Sequence, residues 1–174
     1  MYLKENSGIL YSIYRMPEIE MDKEKFMGKA LDLAALAAAE DEIPVGAVIV
    51  DKGVIIGEGF NRNRAGNDPT LHAEIIAIRE AAAFLGNERL TGCDIYVTKE
   101  PCAMCAGAII HSRLKKVIIG ADDIKYGACG TVFDICGSRL MNHIPEIEKG
   151  ILQDQCSRIL KDFFLKKRKN NPPV

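Results

Sequence analysis

The sequence predicts a three-layer α/β/α sandwich built on a five-stranded mixed sheet. Three observations carry this. β-Branched runs at 45–50 (VGAVIV) and 54–60 (VIIGEGF) flank the short turn DKG and read as a hairpin. Strand-like and helix-like segments then alternate to the end of the chain, the pattern of an α/β fold. The 174 residues, 48% hydrophobic and 27% charged, suit one domain with one core.

Each element follows in order. Residues 1–20 have no clean period and read as an N-terminal extension, with Met16 and Met21 as alternative starts. A helix begins with Asp22 as N-cap, places Met27, Ala30, Leu31, Ala34 and Ala38 on one apolar face, and ends before Pro44. After the hairpin, 61–70 (NRNRAGNDPT) is a polar loop. Thr70 is the expected N-cap of a helix over 71–85 that stops at Gly86. DIYVTK (94–99) is a strand, and Pro101 opens a helix running to about Arg113. KKVIIGA (115–121) is a strand, GTVFDIC (130–136) a weak helical segment, and PEIEKGI (145–151) an edge strand. A last helix spans about Leu152 to Lys167. The domain is therefore expected over 21–169, with a tail at 170–174.

Composition excludes several classes. The formal net charge is −1, so no global field attracts nucleic acid, and any RNA binding must come from a local basic patch. No apolar run reaches the length of a transmembrane helix, and the N-terminus lacks a secretory signal. The six cysteines are too sparse for a disulfide scaffold in a chain this long. A cytoplasmic protein with reduced thiols and no membrane association is expected.

The chemistry concentrates in two stretches, LHAEI (71–75) and KEPCAMCA (99–106). Cys102 and Cys105 are three apart at a helix start, so both thiols can face one atom. Backbone N–H groups and the helix dipole favour thiolate there. A thioredoxin-type redox pair sits in the same context, so the cysteines alone leave redox and metal readings open. His72 shifts the balance towards metal. At the start of its own helix it can reach past the helix end, giving two helix N-termini facing one site. Three protein ligands with an open fourth position is the catalytic zinc pattern, whereas a fourth ligand from Cys129 or Cys136 would make a structural site. Glu74 supplies the reason for an open position, since a carboxylate beside the metal can take a proton from water and return it to a leaving group.

These motifs resemble the cytidine/deoxycytidylate deaminase superfamily, and within it the bacterial tRNA-specific adenosine deaminases. The resemblance runs from about Asp22 to Lys169. It is carried by EIPVGAVIV (42–50), GEGFNR (57–62), DPTLHAEI (68–75), EPCAMCAGAIIHSR (100–113), GADDIKYGACG (120–130), MNH (141–143) and DFF (162–164). The resemblance implies a cytidine deaminase-like fold and one zinc per subunit held by His72, Cys102 and Cys105, with Glu74 as proton shuttle. It implies that Asn61 and the backbone at Ala73 contact the nucleoside. Asp123, Lys125, Asn142, Phe163 and Phe164 would line the anticodon-loop cleft of a homodimer. The activity implied is conversion of adenosine to inosine at the wobble position of a tRNA, bound by its anticodon stem-loop. Asp122 stands where the family is often basic, and the N-terminal extension departs from the family pattern.

The residues themselves leave the RNA reading open. Arg62, Arg64, Lys115, Lys116, Lys125 and the run LKKRK (165–169) could form a basic cleft, yet a basic helix end also simply offsets the dipole. Phe163 and Phe164 face about 100° apart, so one is expected in the core and the other could stack on an unpaired base. The alternatives are a small-molecule deaminase acting on guanine or cytidine, a non-catalytic zinc-stabilised RNA-binding protein, and a dithiol redox protein.

Overall fold

A computed structural model of the chain describes residues 23–170. The extension at 1–20, the Asp22 cap and residues 171–174 of the tail lie outside the described residues. Nine elements follow in chain order: α1 (Lys23–Ala39), β1 (Gly46–Asp51), β2 (Val54–Phe60), α2 (Ala73–Leu85), β3 (Asp94–Lys99), α3 (Ala103–His111), β4 (Lys116–Ala121), β5 (Glu146–Lys149) and α4 (Gln153–Asn170). The strands form one sheet in the order β2-β1-β3-β4-β5. β1 runs antiparallel to both β2 and β3, while β3, β4 and β5 are parallel, so the sheet is mixed as expected.

Strand alternation builds two cores. Ala47, Ile49, Ile95, Val97, Val117 and Ile119 face one side, where α2 and α3 supply Ala73, Ala77, Ala81, Ala106 and Ile109. Val48, Val50, Tyr96 and Ile118 face the other, under Phe26, Met27, Ala30 and Leu33 of α1 and Cys156 of α4. Both faces of the central strands are covered, which explains their unbroken apolar composition.

The hairpin turns on Lys52 (φ 48°) and Gly53 (φ 81°), two positive values that match the right-handed twist of the flanking strands. Two other glycines set the distance between sheet and helix. A side chain at Gly59 would lie 2.2 Å from the Ala73 carbonyl oxygen, and one at Gly57 would lie 2.4 Å from that of Ala77. β2 thus presses directly on the backbone of α2, and this contact seats the helix start that carries His72 and Glu74. Gly59→Ala is expected to destabilise the fold by about 1–3 kcal/mol through overpacking. A lower denaturation midpoint together with reduced metal content would show it; an unchanged midpoint would mean that α2 shifts freely.

Several boundaries differ from expectation. The buried face of α1 comprises Phe26, Met27, Ala30, Leu33, Ala34 and Ala37, whereas Leu31 and Ala38 are only half-buried. α2 starts at Ala73, because Thr70 is drawn away from a capping role. Its N–H and hydroxyl both donate to Asp68 Oδ1, at 2.7 Å each. His72 takes the cap position instead, with extended backbone (φ −76°, ψ 154°). α2 ends as expected at Gly86, in the left-handed region (φ 60°), where its N–H reaches the carbonyls of Ala82 and Ala83. Cys102 caps α3, which ends at His111 rather than at Arg113; Arg113 has φ 60°. α4 continues past Lys167 to Asn170.

The segment 130–136 is not helical. Cys129 pairs with Asp134 in an isolated bridge, and Gly130 has φ 107°. The N–H groups of Cys129 and Thr131 go to a buried carboxylate, Glu100, rather than to carbonyls one turn earlier. That interaction replaces a helix start with a pinned loop.

Candidate active site

The carboxyl ends of β3 and β4 lie side by side, Lys99 opposite Ala121, and the chain leaves both into loops over one end of the sheet. Ligands of open α/β sheets gather at such ends. A cavity of about 560 Å³ opens there, lined among others by Asn61, His72, Glu74, Lys99, Cys102 and Asp123.

His72 and Cys102 occupy the cap positions of α2 and α3, and Cys105 lies one turn into α3. Two helix N-termini therefore aim at one point, as expected. His72 Nδ1 stands 3.7 Å from Cys102 Sγ and 3.5 Å from Cys105 Sγ, and the two sulfurs are 3.8 Å apart. Zinc bonds of about 2.3 Å to sulfur and about 2.0 Å to nitrogen at tetrahedral angles put two sulfurs about 3.8 Å apart and a sulfur and a nitrogen about 3.5 Å apart. The three residues thus outline one face of a zinc tetrahedron. Among the described residues no fourth His, Cys, Asp or Glu atom joins the group. Cys129 and Cys136, the candidates for a closed structural site, instead face each other with sulfurs 3.1 Å apart. The fourth position stays open to the cavity.

The electrostatics suit thiolate ligation. The hydrogen bond from the Cys105 thiol, opposed by burial and aided by His72, pushes Cys102 down to about 3. The hydrogen bond with Cys102 raises the Cys105 thiol, and burial adds to the rise. The hydrogen bond to Cys102 also raises the His72 imidazole. Glu74, on the first turn of α2, is 3% exposed, and burial raises its carboxyl. A carboxylate of raised basicity beside an open metal position is suited to moving a proton.

Asn61 is 6% exposed and spends both ends of its amide on the scaffold. Its Oδ1 accepts the Ala73 N–H at 2.9 Å, and its Nδ2 donates to the Ile43 carbonyl at 3.1 Å. It fixes the start of α2 while still lining the cavity. Ala73 is fully buried, its N–H is committed to Asn61, and it lies behind the lining. Asp123 lines the cavity; it accepts the Lys125 N–H at 2.9 Å and pairs with the Lys99 ammonium.

The remaining residues expected at the cleft are dispersed. Lys125 and Phe164 line a second cavity of about 540 Å³ with Lys161, Lys167 and Arg168. Phe163 is half-buried with the Lys167 ammonium 5.6 Å from its ring centre, and Phe164 is 44% exposed, so neither is a core residue. The two rings meet edge to face at 5.5 Å. Asn142 is not brought to the zinc site. It sits past the end of α3, where Arg113 donates to its carbonyl at 2.6 Å and to its side-chain oxygen at 3.0 Å. Part of the basic patch is neutralised, since Arg64 pairs with Asp41 at 2.7 Å and Lys167 pairs with the same carboxylate.

Two buried carboxylates of the site had escaped the sequence reading. Glu42, 2% exposed, accepts the N–H groups of Arg64 and Ala65 at 2.7 and 2.9 Å and so shapes the loop after β2. Glu100, also 2% exposed, accepts the N–H groups of Asp123, Cys129 and Thr131 and the Thr131 hydroxyl, and lies 3.3 Å from the Lys149 ammonium. The available signal was a carboxylate close to a proline, Pro44 or Pro101, beside an apolar strand.

Comparison with known proteins agrees with this geometry. Residues 20–121 match the family described as the cytidine and deoxycytidylate deaminase zinc-binding region. A tRNA-specific adenosine deaminase of Haemophilus influenzae is 51% identical over 146 residues, covering 83% of this chain and 84% of that protein. That of Agrobacterium fabrum is 42% identical over 147 residues, covering 84% and 97%. A solved structure from a study of A-to-I editing by tRNA:A34 deaminases at the wobble position of transfer RNA has 43% identity and a TM-score of 0.76, covering 78% of this chain and 99% of the other. A guanine deaminase from Nitrosomonas europaea is more distant, at 28% identity and a TM-score of 0.68, covering 80% and 83%. With its three zinc ligands and buried glutamate in place, the chain belongs to the cytidine and deoxycytidylate deaminase family, in the group of the tRNA-specific adenosine deaminases.

Proposed function

We propose that this chain hydrolyses the exocyclic amine of adenosine at the wobble position of a tRNA, giving inosine and ammonia. The carrying observation is the open His72–Cys102–Cys105 triangle with Glu74 buried beside it at the floor of the cavity. The names of the relatives at 42–51% identity supply the substrate.

Zinc held by the three ligands supplies Lewis acidity at its open position. The rest is done by the chain. Glu74 accepts a proton as water adds to the ring carbon bearing the amine, and gives it to the departing nitrogen. Asn61 locks the start of α2 and so fixes where the Glu74 carboxylate points. The walls formed by Val45, Tyr126 and Phe133 bracket the base. An unpaired loop nucleotide can reach this recessed site without the cost of opening a duplex. Lys125, Lys161, Lys167, Arg168 and Phe164 form a basic, part-aromatic neighbour surface suited to the flanking phosphates and bases.

The same reading assigns Asn142, which lies away from the zinc site, to contact with the RNA outside the cavity, while Ala73 acts through the amide that Asn61 holds. It takes the working form to be a cytoplasmic homodimer, supported by the exposed Met104, Leu140 and Met141 and by six cysteines that are all free. Among the described residues no helix is long and apolar enough to cross a membrane.

The test uses purified protein of measured zinc content and an anticodon stem-loop RNA with a wobble adenosine. Free adenosine, cytidine and guanine are assayed in parallel. Inosine in the RNA is the expected result. Turnover of free guanine or cytidine without RNA turnover would move the function to nucleobase or nucleoside chemistry.

A further inference from the structure

We propose that Cys129 and Cys136 form an oxidative modification site. A two-electron oxidant of the peroxide class joins them in a disulfide, apart from the zinc thiolates, and the bond staples the loop that carries Phe133 of the cavity wall.

Beyond the zinc ligands Cys102 and Cys105, four cysteines remain, and all are free. Cys93 precedes β3, at the end of the sheet away from the cavity, and Cys156 packs on the opposite face of the sheet. Cys129 and Cys136 instead meet, with the Cys129 thiol 3.1 Å from the Cys136 sulfur. The backbone brings them together. Cys129 pairs with Asp134 in an antiparallel bridge, and the N–H groups of Ile135 and Cys136 both reach the Ala128 carbonyl, at 3.0 and 3.4 Å. Chain segments in direct hydrogen-bond contact are close enough for a disulfide, and the sulfurs need approach by only about a further 1 Å to bond. Glu100 already pins one end of this loop through the Cys129 and Thr131 N–H groups. A bond from Cys129 to Cys136 would tie the other end to it, with Phe133 held between them on the wall.

The two sulfurs have different parts in the reaction. Cys129 is 3% exposed and Cys136 is fully buried, so Cys129 is the one that a small oxidant reaches. The Cys129 thiol gives its proton to water, and the thiolate attacks one oxygen of hydrogen peroxide. The O–O bond breaks, leaving a sulfenic acid and a hydroxide that takes up the proton as water. The Cys136 sulfur then attacks the Cys129 sulfur and breaks its S–O bond. The hydroxide released takes the Cys136 proton and leaves as a second water. Two thiols are oxidised, and one peroxide is reduced to two waters. The hydrogen bond with Cys136 and burial hold the Cys129 thiol above its ordinary value. Thiolate is therefore scarce and the reaction slow, so the pair is a staple set by sustained oxidation rather than a rapid sensor. Once closed, the bond restricts the unfolded chain and adds stability.

The test treats the zinc-loaded protein with hydrogen peroxide for several hours, blocks the remaining thiols by alkylation, and maps disulfides by mass spectrometry after digestion. The expected result is a Cys129–Cys136 bond with one zinc per chain retained. The melting temperature of the oxidised protein is expected to rise by roughly 4–8 °C, and amide hydrogen exchange over 130–136 to slow, with both changes reversed by a thiol reductant. C136A is expected to show neither the bond nor the rise, and C129S serves as the same control if C136A does not fold. A Cys102–Cys105 bond with zinc released, while Cys129 and Cys136 stay reduced, would overturn the proposal. So would sulfinic acid at Cys129 without a bond, or a rise in melting temperature that persists in the control variant. A bond that forms but lowers the melting temperature or leaves exchange unchanged would overturn the stapling role. None of these measurements uses RNA, so their outcome is independent of the tRNA reading.

Discussion

Glu74→Gln is expected to lose about 10²–10⁴-fold in kcat on the stem-loop RNA while retaining one zinc per chain and the wild-type denaturation midpoint. The argument is geometric. Glu74 lies outside the ligand triangle, so its replacement by an isosteric amide leaves His72, Cys102 and Cys105 in place. Its carboxylate is buried, and glutamine matches its volume, so packing does not change. What disappears is the ability to accept a proton from water and to deliver it to the amine. The two thiolates make the loss more severe. Together they cancel the charge of a zinc ion, which damps its Lewis acidity relative to an all-histidine site and leaves more of the proton transfer to the carboxylate. Metal analysis and turnover on the same sample check the prediction. Near-normal turnover with zinc bound would remove Glu74 from the chemistry. Zinc loss in step with activity would make it a structural support instead.

The ligands were legible in the sequence because each announces itself locally. A Cys-x-x-Cys after proline and a His-x-Glu after a polar loop need no tertiary information beyond two helix starts. The strands were legible because their alternation is clean: Val48 and Val50 go to one core, Ala47 and Ile49 to the other. Two of the places where reading failed share one cause, another polar side chain outcompeting the local preference. Thr70 has the right chemistry for an N-cap, but Asp68 takes its hydroxyl and its N–H. Residues 130–136 carry enough apolar side chains for a helix turn, but Glu100, 30 or so positions away, claims the N–H groups of Thr131 and of Cys129 just before the segment. Phe26, Leu33 and Ala37 were missed on α1 because the buried face is set by the opposing Tyr96 and Val48, which the helix sequence does not show. The dispersal of Asn142, Lys125 and Phe164 around the site depends on loops whose course no periodicity records.

Glu100→Ala is the complementary case, a large loss of stability with the zinc site left standing. Glu100 directly precedes Pro101, yet its side chain serves the loop after β4 rather than the metal. One oxygen accepts the Cys129 and Thr131 N–H groups at 2.9 and 3.1 Å, and the other accepts the Asp123 N–H at 3.2 Å. The fit around it is close, since a side chain at Gly127 would lie 2.5 Å from the second oxygen. Removing the carboxylate leaves the buried N–H groups of Asp123 and Cys129 without their acceptor, and costs Lys149 one of its two ion pairs. Each unsatisfied buried donor costs about 1–3 kcal/mol, and partial relaxation of the loop brings the expected total to about 3 kcal/mol. For a chain of this size that lowers the melting temperature by roughly 6–12 °C. Because the loop carries Asp123 and Tyr126, and Phe133 follows it, the cavity wall loosens with it, and KM for the RNA rises more than kcat falls. Zinc content holds, because the ligands stand on α2 and α3. Glu74→Gln and Glu100→Ala therefore separate the two parts of the site: the first removes the chemistry from an intact structure, and the second loosens the wall around intact chemistry. A melting temperature within about 2 °C of wild type in Glu100→Ala would show that the loop is held by its other contacts. Zinc loss in that variant would show that the wall and the metal triangle are one cooperative unit.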